Sequence, residues 1–251
     1  MSTIRKVITI ARHGSTPLNE RGFSMDSLVD KSVQAMYTQS RGFEAEIGAG
    51  YKPADILALH SDKRRTWATA ATRVAGIRGI TPEPKTQADL EGLQYDGVSF
   101  VQDARLGYLD LKSNEPELNR IGLPAYLAWQ IKNRCFAYMN GVPITSFQEM
   151  YDGRKGILAH ALRELDLPNR NLVIASTHAF LSDTIAMAAA DSARKPFDYV
   201  DSDGIGGQFG KEDVMHLVVD TNDASGSVSQ AKLVRKGQTF PVDIARIRAY
   251  K

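Results

Sequence analysis

Three short apolar runs, each ending abruptly in polar residues and each followed by a helix-forming stretch, constrain this chain more than any other feature. The first is Val7-Ile8-Thr9-Ile10-Ala11, β-branched and nearly all apolar, as a strand covered on both faces by helices must be. It stops at Arg12-His13-Gly14. The second is Ile56 to Leu59, followed by the turn residues His60, Ser61 and Asp62 and by an Ala-rich, helix-forming segment from Arg64 to Val74 with Arg65 in its first turn. The third is Leu172 to Ala175, with Thr177-His178 at the junction and a helical segment over Leu181 to Ala190. Strands alternating with helices predict an α/β fold, a mostly parallel sheet with helices on both faces in three α/β/α layers.

The remaining segments fit that frame. Ile157, Leu158, Ala161, Leu162 and Leu165 have helical spacing, and a fourth strand is expected over Asp213 to Asp220. Between residues 80 and 143 Gly, Pro and Asn interrupt the pattern, and this stretch is read as an inserted lid region of one domain spanning residues 1–251. There are no repeats or low-complexity tracts.

Composition narrows the function classes. At 251 residues, 43% hydrophobic and 24% charged, the chain can bury a sizeable core. Its net charge is +2 with Lys and Arg scattered rather than blocked, so neither a nucleic-acid-binding tail nor a polybasic membrane segment is indicated. The single cysteine, Cys135, rules out an intrachain disulfide, points to a reducing compartment and is read as a small buried hydrophobe. The first apolar run is too short for a signal peptide, and no stretch approaches the ~20 apolar residues that span a bilayer. A soluble, cytoplasmic protein is expected.

In an open parallel sheet, ligands bind outside the carboxyl ends of the strands, where Arg12, His13, Arg65 and His178 would converge. Two arginines offering rigid donor forks, beside helix N-termini, make a phosphate pocket. The other histidines read differently: His160 on a patterned helix and His216 in a strand are structural, and His60 is as apt to cap or pack as to act. Gly204 to Gly210 does not open a helix after a strand and reads as a flexible loop. No close pair of Cys or His has zinc-ligand spacing.

The junction residues also resemble a known family. Arg12, His13, Gly14, Thr16 and Asn19 match the Arg-His-Gly-x-Thr-x-x-Asn signature of the histidine phosphatase superfamily, whose fold is phosphoglycerate mutase-like, and the resemblance is to its branch 1. Ser61, Arg65, Thr69 and Ala70 match its second pattern, and His178 after "VIAST" its third. The resemblance runs from Ile4 to about Ala190, with the middle poorly matched. It implies that His13 takes the phosphoryl group as nucleophile, that Arg12, Arg65 and His178 hold the phosphoryl oxygens, and that Gly14, Thr16 and Asn19 bind the phosphate. Water then hydrolyses the phosphohistidine, with no metal and no cofactor.

The general acid departs from the family's pattern, because Tyr108 stands where "DARLGYLD" would place a Glu. Asp110 is the first choice, Glu91 the second and Glu115 the third. The expected activity is phosphomonoester hydrolysis on a small phosphorylated substrate. A mutase is the first alternative, although residues after Asn19 lack the Gly-Trp and Leu-Ser pattern that resembles true mutases. A catalytically weak phosphate- or phosphoprotein-binding module is the second. Tyr95, Phe100, Tyr108, Tyr126 and Trp129 are placed to shape the leaving-group side, or equally to form the core of the lid. The fold would suggest a homodimer.

Overall fold

The computed structural model describes residues 3–20, 25–48, 53–107, 137–139, 142–144, 147–178, 209–222 and 228–249, together with Ser182, Ile185 and Ala189. Asp110, Glu115, Tyr108, Tyr126, Trp129 and Cys135 lie outside the described residues, as does most of the 204–210 glycine stretch.

The elements follow in order: β1 Thr3–Arg12, α1 Asp30–Arg41, α2 Phe43–Ile47, β2 Asp55–His60, α3 Arg64–Arg78, α4 Gln87–Glu91, β3 Val98–Gln102, β4 Ala137–Met139, β5 Val142–Ile144, α5 Phe147–Leu165, β6 Arg170–Thr177, β7 Val214–Asn222, β8 Val228–Arg235, β9 Gln238–Pro241 and α6 Ile244–Arg248. Ser182, Ile185 and Ala189 are helical, within the segment expected to be a helix. Seven strands form one sheet in the order β3-β2-β6-β1-β7-β8-β9, and β4 and β5 pair separately. The half from β3 to β1 is parallel, and β7, β8 and β9 continue it as an antiparallel meander. β3 falls inside the 80–143 stretch, so the first part of that stretch completes the sheet.

The period of two along β1 divides the core. Ile8 and Ile10 pack with Leu57, Leu59, Val173 and Ala175 on one face, where Ile157, Leu158, Leu162 and Leu165 of α5 cover them. Val7 packs with Ile56, Ala58, Leu172 and Ile174 on the other face, against Ala70 and Val74 of α3. α3 is buried almost all round because α1 covers its outer side, and small residues permit the approach. A Cβ on Gly76 would fall 2.6 Å from the Tyr37 carbonyl. The buried hydroxyls of Thr69 and Thr72 donate to the Arg65 and Ala68 carbonyls at 2.9 and 2.7 Å, so they cost no unpaired polar group. α3 ends at Gly79, whose left-handed φ of 64° lets its N–H reach back to the last turn.

Among the described residues, no helix is long and apolar enough to cross a membrane.

Candidate active site

Strand register assembles the site. Arg12 lies opposite Thr177 in the parallel β1–β6 pair, and His60 opposite Ser176 in the β2–β6 pair. The next residues along each strand, His13, His178 and Ser61, therefore emerge side by side at the carboxyl edge of the sheet. The His13 N–H donates to the Thr177 carbonyl at 2.8 Å, and the His13 and His178 rings meet edge to face with centroids 5.2 Å apart.

His13 is 5% exposed, and its Nδ1 donates to the Gly14 carbonyl at 2.7 Å. That bond assigns the proton to Nδ1 and leaves the lone pair on Nε2. Burial first, then the charges of Arg65, Arg12 and Lys211, lower its pKa from 6.5 to about 4, against the opposing pull of the Gly14 carbonyl. Burial again comes first for His178, followed by His13, Arg65, Lys63 and Arg12, and its pKa falls to about 2. Both rings are neutral at pH 7. His178 Nε2 lies 3.0 Å from Ser61 Oγ, which also meets Thr66 Oγ1 at 2.9 Å and accepts from the Lys63 N–H at 3.2 Å.

The two arginines come from opposite sides. Arg65, in the first turn of α3, is buried; its Nη1 donates to the Met25 carbonyl at 3.2 Å and stands 3.7 Å from Asp26 Oδ1. Arg12 is gripped by the turn 209–213: its Nη1 donates to the Phe209 carbonyl and its N–H to the Asp213 carbonyl at 3.1 Å. The Gly14 N–H donates to Thr69 Oγ1 at 3.2 Å, tying the loop after β1 to α3. Glycine lets that loop lie close against α1, since a Cβ would fall 2.2 Å from Ser32 Oγ and 2.8 Å from Met36 Cε. Thr16 is buried, and its hydroxyl has no hydrogen-bond partner among the described residues, so a donor stands available on the loop after His13.

Register and contacts thus bring together His13, His178, Arg12, Arg65 and Gly14, with Thr16 two residues further along the loop. Asn19 is exposed further along the same loop. Of the three acid candidates only Glu91 is described: it ends α4, exposed, in an ion pair with Arg64, the neighbour of Arg65. His60 turns its Nδ1 to the Ser61 carbonyl at 2.7 Å, a packing role. Among the described residues no cluster of three or more His, Cys, Asp and Glu is arranged to hold a metal ion. Sequence reasoning missed Ser32, Arg73 and Glu212, which brace the loop from behind.

No family model and no curated protein matches the chain. Solved structures do resemble it. A mycobacterial hydrolase is 16% identical, with 99% of this chain and 96% of that one covered and a TM-score of 0.49. A mycobacterial glucosyl-3-phosphoglycerate phosphatase is 18% identical over 87% and 91%, with a TM-score of 0.46. A phosphoglycerate mutase from Bacillus anthracis is 13% identical over 98% and 96%, with a TM-score of 0.49. With each of these scores below 0.5, the chemistry rests on this chain's own residues.

Proposed function

We propose that the protein hydrolyses phosphomonoesters through a phosphohistidine on His13. The observation that carries this reading is a neutral, buried imidazole with its proton tied to Gly14 and its lone pair on Nε2, set among Arg12, Arg65 and a second neutral histidine. Neutral imidazole is a competent nucleophile that needs no helper base.

In the first step Nε2 attacks phosphorus, the P–O bond to the leaving group breaks, and a carboxylic acid protonates the departing oxygen. Arg12, Arg65, His178 and Thr16 hold the three equatorial oxygens as charge redistributes, which is where most catalysis of phosphoryl transfer arises. In the second step water attacks the phosphohistidine, the P–N bond breaks, and the same carboxylate takes the water's proton. The acid is proposed among Asp110, Glu91 and Glu115. The lone Cys135 supports a reducing, cytoplasmic setting.

The test is turnover in EDTA with an aryl phosphate and a panel of sugar, nucleotide and phosphoamino-acid esters, beside His13→Ala. Chelator-resistant phosphate release that depends on His13, with acid-labile phosphate trapped on the protein, is the expected result. Undiminished release by His13→Ala overturns the proposal. Transfer of the phosphoryl group to a second hydroxyl in place of water would favour a mutase, and tight phosphate binding without turnover a binding module.

A further inference from the structure

The peptide unit between Gly14 and Ser15 is held at both ends. Its carbonyl accepts from His13 Nδ1 at 2.7 Å, and its N–H donates to Ser32 Oγ at 2.8 Å. Across a planar trans unit these two groups point in opposite directions, so fixing one fixes the other. Ser32, in the first turn of α1 and 1% exposed, sends its own proton to Glu212 Oε1 at 2.5 Å, the short length of a hydroxyl–carboxylate bond.

Glu212 is itself immobilised at some cost. Its φ of 71° lies in the left-handed region that a side chain like Glu rarely adopts. Its carbonyl accepts from Nη2 of the buried Arg73, whose Nη1 donates to Gln39 Oε1 at 2.6 Å and Ser40 Oγ at 3.2 Å. A hydroxyl on the first turn of a helix needs neither a carboxylate nor a strained turn to be satisfied. The expense points to the loop that the hydroxyl holds.

We propose that Glu212 and Ser32 are positioning residues that orient and polarise His13 through the single Gly14–Ser15 peptide plane. Four hydrogen-bonding groups run in series: the Glu212 carboxylate accepts from the Ser32 hydroxyl, Ser32 Oγ from the Ser15 N–H, and the Gly14 carbonyl from His13 Nδ1–H. Each bond strengthens the acceptor of the next, so negative charge on Glu212 favours the Nδ1–H tautomer and enriches Nε2. A carboxylate does the same directly to histidine in a Ser-His-Asp triad. Here a peptide bond intervenes, which keeps the carboxylate away from an anionic substrate. The relay rests on the reading of His13 as phosphoryl acceptor.

The experiment reads the tautomer and the kinetics separately. The ring-nitrogen shifts of His13 are measured at neutral pH in the 15N-labelled protein and in Ser32→Ala, Glu212→Gln and Glu212→Gly, alongside kcat and KM on an aryl phosphate. The parent should show a protonated Nδ1 and a bare Nε2. Ser32→Ala should mix the tautomers and lower kcat on the order of a hundredfold, with KM changing by less than about threefold. Glu212→Gln, which still accepts from Ser32 but lacks the charge, should fall between. Glu212→Gly removes the side chain at a φ that glycine adopts freely, so it should fold and behave like Ser32→Ala. Folded variants that keep the parent's tautomer and kcat overturn the relay. A parent with no phosphatase activity whose His13 tautomer still responds to these changes keeps the relay and overturns the phosphatase reading instead.

Discussion

His13, just past the end of β1, and His216, in the neighbouring β7, have nearly equal burial, 5% and 2% exposed, yet their surroundings are opposite in kind. His216 meets the Thr9 hydroxyl on Nδ1 at 3.0 Å, the Glu46 carboxylate 3.5 Å from Nε2 and the edge of Phe43 at 5.0 Å. The bond to His216 in turn holds the Glu46 carboxyl below its ordinary range. The charges acting on His13 are Arg65, Arg12 and Lys211, all positive. A buried histidine set beside a carboxylate has an opposite charge at hand within the fold. One set among cations sits where the local field favours an arriving anion, and that difference separates the structural ring from the reactive one.

The largest expected effect tests that contrast directly. His13→Ala should lower turnover by on the order of ten-thousandfold or more, since it removes the group that accepts the phosphoryl. His216→Ala should leave turnover within about threefold while costing about 2 kcal/mol of stability, because it leaves Glu46 without its partner and opens a void. Steady-state kinetics and denaturant unfolding on both proteins settle the matter; a turnover loss in His216→Ala matching that in His13→Ala would erase the distinction.

A smaller effect concerns the acid. Glu91 is joined through Arg64 to the first turn of the helix that carries Arg65, and of the three acid candidates it is the one among the described residues. Glu91→Gln should slow alkyl phosphates by about a hundredfold and leave an activated aryl phosphate, whose leaving oxygen needs no proton, nearly unchanged. Equal rates on alkyl esters would move the role to Asp110 or Glu115.

The next effect is on stability. His13 has a folded pKa of about 4, below the 6.5 of the unfolded chain, so between those values the unfolded state binds more protons. Its share of stability is complete above pH 6.5 and is lost as pH falls through about 4, on the order of 3 kcal/mol in all. His178 shifts the same way and adds to the same slope. Melting between pH 7.5 and 4.5 should therefore fall more steeply for the parent than for His13→Gln. Inorganic phosphate should offset part of the fall by binding the folded state. Parallel pH profiles for the two proteins would contradict the assigned environment.

Much of this contrast is legible in the sequence. The strand cores at Val7–Ala11, Ile56–Leu59 and Leu172–Ala175 form where apolar runs predict them, and extend outward because the hydrogen-bonded ladder continues into polar residues such as Thr3 and Arg170. His13 and His178 are legible because each follows the end of such a run, and Arg65 because it lies in the first turn of the helix after one. The expected strand at Asp213–Asp220 is β7. β8 and β9 went unread although Lys236 and Gly237, with φ of 48° and 76°, make the two-residue hairpin turn that joins them. Ser32 and Glu212 left no local signal: their hydrogen bond closes a separation of 180 residues, and only tertiary folding brings a helix start to a turn before β7.

The smallest effect probes the cationic side of the comparison at its edge. Lys211 is exposed on the turn that grips Arg12, makes no ion pair among the described residues, and is the outermost of the three charges that lower the His13 pKa. An exposed charge acts through water and is screened within about 8 Å at physiological ionic strength. Lys211→Ala should therefore raise KM for a phosphate ester by about two- to fivefold at low salt, leave kcat unchanged, and become indistinguishable from the parent near molar salt. Arg65, buried and without intervening solvent, should show no such salt rescue when replaced by Ala. If Lys211→Ala keeps its defect at high salt, the side chain contacts substrate directly, and the boundary between the buried cations that hold the phosphate and the exposed one that only attracts it must be redrawn.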